Sequence, residues 1–318
     1  MFGELKVFSG RSNLELAGKI CKKLGIKLGE LTIKQFSDGE LWVKFEDNIR
    51  GKDIFIIQPT NSPHENIIEL LLILDAARRA SAGRITAVLP YYGYARQDRK
   101  DQPRVPISAR LFMDLIVNAG AQRIISMDLH STQIQGYVNV PFDHLYSKPA
   151  FMNYLQKSDL ADDDNLVIVA PDVGSVPLAR SYANALNKDL AIIDKRRTEH
   201  NKCEVMHVIG NVKNKRVLIM DDMADTAGTL VSAAQTLLKM GAKEVNASFT
   251  HAVLSGPAIV RIKNSDIKKI IVTDTIHRPE SKTCDKIDTI TISDVFADAI
   301  DRIHHDKSVS MLFNKIEI

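Results

Sequence analysis

Short runs of Ile, Val and Leu, each too brief for a helix, alternate along this chain with longer segments whose apolar residues recur every three or four positions. DIFIIQ (53–58) precedes NIIELLLILDAARRASA (66–82), and RITAVLP (84–90) follows; ISARLFMDLIVNAGA (107–121) runs into RIISMDL (123–129). Parallel strands need a long crossover between them, so strand, helix, strand in series predicts a parallel sheet covered by helices on both faces. After the polar, acidic stretch LQKSDLADDDN (155–165) the pattern resumes with NLVIVAPD (165–172), VPLARSYANALN (176–187), RVLIMDD (216–222), TLVSAAQTLLKMGA (229–242) and KKIIVTDT (268–275). The 318 residues suit two domains of about 150 each. The expected division is 1–149 and 150–318. Gly120-Ala121 and Gly241-Ala242 each close a helical pattern, with His130 and His251 ten residues after the glycines. This echo suggests duplication of one unit, with chance similarity as the alternative.

Charge narrows the range of partners. With 42 Lys plus Arg against 39 Asp plus Glu, the net charge is +3, and the longest basic run is Lys195-Arg196-Arg197. No dense basic stripe suits a nucleic acid, so anionic small molecules are the expected partners. Cys21, Cys203 and Cys284 are odd in number and far apart, which indicates neither a disulfide framework nor a zinc ribbon. A cytoplasmic setting is expected. The opening MFGELKVFSG lacks an apolar leader core, and no apolar run is long enough to span a bilayer, so no membrane partner is expected.

The sharpest chemistry lies in RVLIMDDMADTAGTL (216–230), where an apolar strand ends in Asp221-Asp222 and a turn carries Asp225-Thr226-Ala227-Gly228-Thr229 into a helix. Ligands of open α/β sheets sit at the carboxyl ends of the strands. Thr226, Gly228 and Thr229 at a helix start offer backbone N–H groups and two hydroxyls to a phosphate. The carboxylates repel a phosphate but suit sugar hydroxyls or a metal. A sugar phosphate lying along one loop satisfies both halves; an ordinary N-capped helix after an acidic turn is the alternative. Neither G-x-x-x-x-G-K-[ST] nor G-x-G-x-x-G occurs, which removes the P-loop and dinucleotide-binding fingerprints.

This loop resembles the ribose-phosphate loop of type I phosphoribosyltransferases and of the ribose-phosphate diphosphokinases, or phosphoribosyl pyrophosphate synthetases. The second resemblance is closer because it spans nearly the whole chain: FSDGE (36–40), YARQDRK (94–100), MDLHSTQIQG (127–136), PDVG (171–174), DKRR (194–197) and SGPA (255–258). It implies two similar phosphoribosyltransferase-like α/β domains, each with a mainly parallel sheet flanked by helices. The first would carry ATP motifs and the second the ribose-phosphate and pyrophosphate loops. It also implies conversion of ribose 5-phosphate and ATP, with Mg2+, to phosphoribosyl pyrophosphate and AMP.

Residue by residue, YARQDRK follows a strand. Arg96 can fork a phosphate and Gln97 can pair with a purine edge, or the loop is simply solvated and basic. Asp128 and His130, two apart at a strand end, suit a divalent cation or a structural hydrogen bond. The resemblance decides both, placing Arg96 and Gln97 at ATP and His130 with Asp172 in the metal zone. It makes PDVG the pyrophosphate loop. It further implies that Lys195 is catalytic, that Arg197 is catalytic and contacts the ribose phosphate, and that Asp221, Asp225, Thr226, Ala227, Gly228 and Thr229 hold ribose 5-phosphate. KRRTEHNKCE (195–204) reads as a lid over the phosphates or as a surface hairpin.

In TIKQFSDGELWVKF the alternation predicts a strand or hairpin turning at Asp38-Gly39. Phe36 could stack on adenine and Glu40 accept from its amino group. The resemblance assigns Phe36, Asp38, Gly39 and Glu40 to the ATP site of a neighbouring subunit, and so implies a homo-oligomer, a hexamer in many relatives. It maps regulation by phosphate and ADP to Ser81, Arg104, Ser308 and Ser310. Four positions depart from the family pattern: Pro103 and Asn48 in that regulatory region, Ser175 where a second glycine is usual, and Ala227 where Gly or Cys is frequent. A non-catalytic regulatory subunit and a true phosphoribosyltransferase are the rival expectations.

Overall fold

The chain divides into two units, of which the computed structural model describes residues 3–161, 163–196 and 205–313. The first unit comprises Met1–Tyr146, Thr275–His277 and Thr291–Leu312; the second comprises Ser147–Asp274, Arg278–Ile290 and Phe313–Ile318. They are not simple halves of the chain, because a late segment belongs with the first unit.

In the first unit β1 (Leu5–Ser9), β4 (Asp53–Ile57), β5 (Arg84–Leu89), β6 (Arg123–Met127) and β7 (Phe142–Leu145) form one all-parallel sheet in the order β1-β4-β5-β6-β7. Every residue of β4 and β5 is buried. That explains why these strands read as unbroken apolar runs rather than alternating ones: helices cover both faces. One cover is α2 (Glu65–Arg79), which buries Ile67, Leu70, Ile73, Leu74 and Ala77 and carries Glu65 in its first turn and Arg78 and Arg79 in its last, each charge matched to the helix dipole. Another is α1 (Leu14–Leu24), started by Asn13, whose side chain accepts from the Leu16 N–H at 3.2 Å, and stopped by left-handed Gly25. A separate antiparallel hairpin, β2 (Leu31–Gln35) with β3 (Leu41–Phe45), turns through residues 36–40 as the alternation predicts.

The late segment supplies α8 (Ser293–His304), which buries Val295, Phe296, Ala299, Ile300 and Ile303 and packs on α1. Its end meets a buried ion cluster: Arg84 forks Asp53 through Nε at 2.8 Å and Nη2 at 2.6 Å and also donates to the Ile303 carbonyl, while His304 Nδ1 lies 2.7 Å from Asp53 Oδ2. Asp53 is 0% exposed, and a buried carboxylate is tolerable only when its partners replace water this fully.

The second unit holds a seven-stranded sheet in the order β10-β9-β8-β11-β12-β13-β14. Its strands are β8 (Leu166–Ala170), β9 (Asp189–Arg196), β10 (Val205–Ile209), β11 (Arg216–Ala224), β12 (Glu244–Ala252), β13 (Lys269–Thr273) and β14 (Ile287–Ile290). All neighbours run parallel except β10, which turns back on β9. Around it lie α4 (Lys148–Leu155), α5 (Val176–Leu186), α6 (Gly228–Lys239) and α7 (Ala258–Lys263), while α3 (Ser108–Ala119) belongs to the first unit. The sequence echo is realised locally, since α3 and α6 each end at a Gly-Ala pair before a strand. The histidines diverge: His130 is exposed beyond β6, whereas His251 lies inside β12 at 2% exposure. No helix among the described residues is long and apolar enough to cross a membrane.

Candidate functional site

Two loops meet at the carboxyl edge of the second sheet because their strands, β8 and β11, are parallel neighbours in register from Leu166 opposite Arg216 to Val169 opposite Ile219. PDVGS leaves β8 and enters α5; DTA leaves β11 and enters α6. Ser175 joins them. Its hydroxyl lies 2.6 Å from Asp221 Oδ1 and 3.2 Å from Asp172 Oδ1, and its N–H donates to the same Asp172 oxygen at 3.1 Å. Ser175 is therefore a structural tie between the loop after β8 and the end of β11. An added Cβ at Gly174 would come within 3.2 Å of Asp172 Oδ1, so that glycine keeps the backbone close to the carboxylate.

Farther along the edge, the loop after β12 fixes the sugar loop from its other side. Ser255 donates its hydroxyl to Asp225 Oδ1 and its N–H to the Asp225 carbonyl at 3.1 Å, and Leu254 donates to the Ala224 carbonyl at 3.0 Å. Ala227 adopts a left-handed backbone with φ of 57° and precedes α6 without a side-chain cap, so no side chain closes the start of that helix. Here Ala suffices where glycine is frequent, at the cost of a crowded Cβ.

Charge is concentrated at this edge. The Asp221 carboxyl is pushed up to about 7, first by burial and then by the neighbouring charges of Asp222 and Asp172, against the opposing hydrogen bond from Ser175. Three carboxylates crowded at one sheet edge repel one another, and such an edge gains from hydroxyl donors or a cation.

Lys195 lies within β9, its backbone opposite Met206 of β10, so the strand pairing extends further than the loop expected from 195 onward. Arg197 and the rest of that segment to residue 204 lie outside the described residues.

In the first unit, YARQDRK and the segment after β6 are knitted together: Gln133 Nε2 donates to Asp98 Oδ2 at 2.7 Å, and the Tyr137 hydroxyl donates to the Asp98 carbonyl. Arg96 and Gln97 are exposed beside this junction. Gln97 accepts from Ser108 Oγ at 2.5 Å through Oε1. Asp128 is buried, at φ of 36°, and His130 is exposed two residues later. At the hairpin tip, Phe36 N–H donates to the Glu40 carbonyl at 2.8 Å, Gly39 N–H to the Phe36 carbonyl at 3.0 Å, and Glu40 N–H to Asp38 Oδ1 at 3.1 Å. Gly39 at φ of 97° supplies the turn, and Phe36 remains 56% exposed. His130 belongs to the first unit and Asp172 to the second.

Residues 5–120 match the family model described as the N-terminal domain of ribose phosphate pyrophosphokinase, and residues 197–314 match the phosphoribosyl synthetase-associated domain. A ribose-phosphate pyrophosphokinase of Chlorobaculum tepidum is 53% identical over 99% of this chain and 96% of its own. The chain belongs to the ribose-phosphate pyrophosphokinase family. Another member, from Caldanaerobacter subterraneus subsp. tengcongensis, is 53% identical over 97% of this chain and 98% of its own. The crystal structure of phosphoribosylpyrophosphate synthetase from Mycobacterium smegmatis, at 39% identity, superimposes with a TM-score of 0.90 over 96% of this chain and all of that one.

Within this pyrophosphokinase fold, the structure gathers Asp172, Asp221, Asp225, Thr226, Ala227 and Gly228 on one edge of one unit, with Thr229 in the first turn of α6. Ser255 and Arg261 were not among the expected site residues. SGPA marked the first by resemblance, but nothing in the sequence tells that Arg261, six residues on, turns back toward Thr226.

Proposed function

We propose that the chain moves the β,γ-pyrophosphoryl group of ATP to O1 of ribose 5-phosphate, giving phosphoribosyl pyrophosphate and AMP, with the sugar phosphate held on the carboxyl edge of the second sheet. The observation that carries this reading is the tie from Asp172 through Ser175 to Asp221, which joins an anion loop to a sugar loop on adjacent strands. Thr226, Gly228 and Thr229 offer donors to the 5-phosphate at the uncapped start of α6, while Ala227 sets the turn. Asp221 and Asp225 accept from ribose hydroxyls, and Ser255 fixes the Asp225 carboxylate.

O1 of the sugar attacks the β-phosphorus, its bond to the oxygen bridging to the α-phosphorus breaks, and AMP departs with that oxygen while the O1 proton is lost. Such transfers ask mainly for alignment and charge neutralisation. Lys195 and Arg197 act on the developing charge, Arg96 holds the ATP phosphates, and the Gln97 amide faces the purine. Phe36 and Glu40, on the turn formed by Asp38 and Gly39, take the adenine of a neighbouring subunit in a homo-oligomer, a hexamer by resemblance, working in the cytoplasm.

Magnesium fits the donors present. It characteristically uses one or two carboxylates plus substrate phosphates rather than a closed protein cage. No group of three or more His, Cys, Asp or Glu among the described residues is arranged as such a cage, while Asp172 presents a carboxylate beside the crowded Asp221. Asp172 would help hold the ion, which would neutralise phosphate charge when bound. Product analysis with ATP labelled in its β-phosphate tests the reaction. The label is expected in the sugar product, with unlabelled AMP released; ADP with a singly phosphorylated sugar, or no turnover, overturns it.

A further inference from the structure

Arg261 is an exposed residue of α7, three residues beyond the SGPA segment, and its guanidinium points back across the sugar loop. Nη1 donates to the Thr226 carbonyl at 2.9 Å. Among the described residues no carboxylate forms an ion pair with it, so four of its five N–H donors are uncommitted to protein charge.

The glycine that opens α6 makes this placement informative. A Cβ built at Gly228 would sit 3.2 Å from Arg261 Nη1 and 3.7 Å from Thr226 Oγ1. The missing side chain thus lets the guanidinium lie close against Gly228, with the Thr226 hydroxyl nearby, beside the first backbone N–H groups of a helix of twelve residues. A cation and a hydroxyl set beside an uncapped helix start form a receptor for a dianionic phosphate rather than for a neutral hydroxyl. The carboxylates, by contrast, lie upstream on β11 and in the turn, where sugar hydroxyls would reach them.

We propose that Arg261 is a specificity-determining residue for the phosphorylated sugar: it binds the 5-phosphate beside Gly228 at the start of α6 and holds the loop through Thr226. This deepens the assignment of the loop to ribose 5-phosphate and rests on it.

The two duties separate experimentally. Steady-state kinetics with ribose 5-phosphate and with unphosphorylated ribose, at saturating ATP and magnesium, are measured for the wild type and the Arg261→Ala, Arg261→Lys and Thr229→Ala variants. Arg261→Ala is expected to raise KM for ribose 5-phosphate about tenfold or more, the scale of one charge-assisted contact, with kcat and the KM for ATP little changed. Its preference for ribose 5-phosphate over ribose should fall by the same factor, and Lys should restore part of it. An unchanged preference, or equal losses for both sugars, shows Arg261 holding Thr226 alone and overturns the proposal. Thr229→Ala reports on the underlying assignment. If it raises KM for ribose 5-phosphate while Arg261→Ala does not, only the role of Arg261 fails; if neither does, the 5-phosphate is not bound at this loop. Thermal melting of each variant confirms folding, and Arg261→Lys keeps the test available should the alanine variant misfold.

Discussion

The carboxyl edge of the second sheet and the hairpin tip of the first unit were assigned to the same reaction, yet they are built in opposite ways. Along the edge candidate residues are tied to partners from other segments: Asp221 by Ser175, Asp225 by Ser255, and the Thr226 carbonyl by Arg261. At residues 36–40 the turn bonds, among the described residues, only within the hairpin, through Phe36, Asp38, Gly39, Glu40 and the Gln35 side chain, and presents a large aromatic face to solvent. The first construction is preorganised for a ligand, so its variants should act on the ligand and the chemistry. The second lacks a surface to pack against, which suits a part that completes a site on another subunit.

The largest effect should come from the second unit. Lys195→Ala is expected to lower kcat by about two orders of magnitude or more while both substrates still bind, since a cation serving the transition state costs little in the ground state. Rapid-quench kinetics beside direct binding titrations would settle it. A raised KM with intact kcat would move Lys195 from chemistry to ground-state binding and blur the contrast between the two regions.

Next comes the hairpin. Replacing both Phe36 and Glu40 with Ala should cut kcat/KM for ATP by roughly one to two orders of magnitude, the scale of one lost base-stacking contact with its hydrogen bond, and leave ribose 5-phosphate binding unchanged. The melting temperature should hold, because the tip makes no contact that folding needs. Mixing this variant with Lys195→Ala after verified subunit exchange should restore activity, since hybrids contain sites free of both lesions. A mixture that stays inactive would place the whole site within one subunit.

A smaller loss is expected at Asp225→Asn, about tenfold in affinity for ribose 5-phosphate, because an amide accepts sugar hydroxyls more weakly than a carboxylate does. Equal weakening of ATP would instead make Asp225 a metal ligand.

How much of this could be read in advance depends on what each residue does. Unbroken apolar runs such as DIFII and LVIVA can only be strands buried on both faces, so the parallel sheets were legible, and Asp38-Gly39 announced its turn. The succession of strand, acidic turn and helix over 216–239 was legible too, because an apolar run, an Asp-Thr-Ala turn and a helical repeat follow one another without a break. Tertiary ties were not. Asp53 and Arg84 look like ordinary polar strand ends, and only the return of α8 to the first unit shows them to be a buried pair closed by His304. Ser175 read as a small intrusion beside an anion and proved to be a bridge, for which spacing along the chain carries no signal. Lys195 was expected in a loop, but the β9 pairing continues through it, since Val205 and Met206 of β10, residues of good or neutral strand propensity, lie opposite Arg196 and Lys195.

The smallest expected effect follows from the preorganised edge itself. Asp221 takes up its proton more readily in the folded chain than in the unfolded one, because burial and the charges of Asp222 and Asp172 disfavour its ionised form. Between the ordinary carboxylate value of 3.8 and the folded value near 7, the native state therefore holds more protons than the unfolded state. Stability must then fall as pH rises through that window and level off above it. Asp221→Asn carries no charge to repel and can still face the Ser175 hydroxyl, so it should gain on the wild type as pH rises, reaching about 2–4 °C in melting temperature at pH 8 for roughly 1 kcal/mol. At pH 4 the two should melt together. The measurement is thermal unfolding of both proteins, free of substrates and with a chelator present, from pH 4 to pH 8. A variant that is equally destabilised at every pH would show that the Ser175 hydrogen bond outweighs the repulsion, and that this edge is held by its ties rather than strained by its charges.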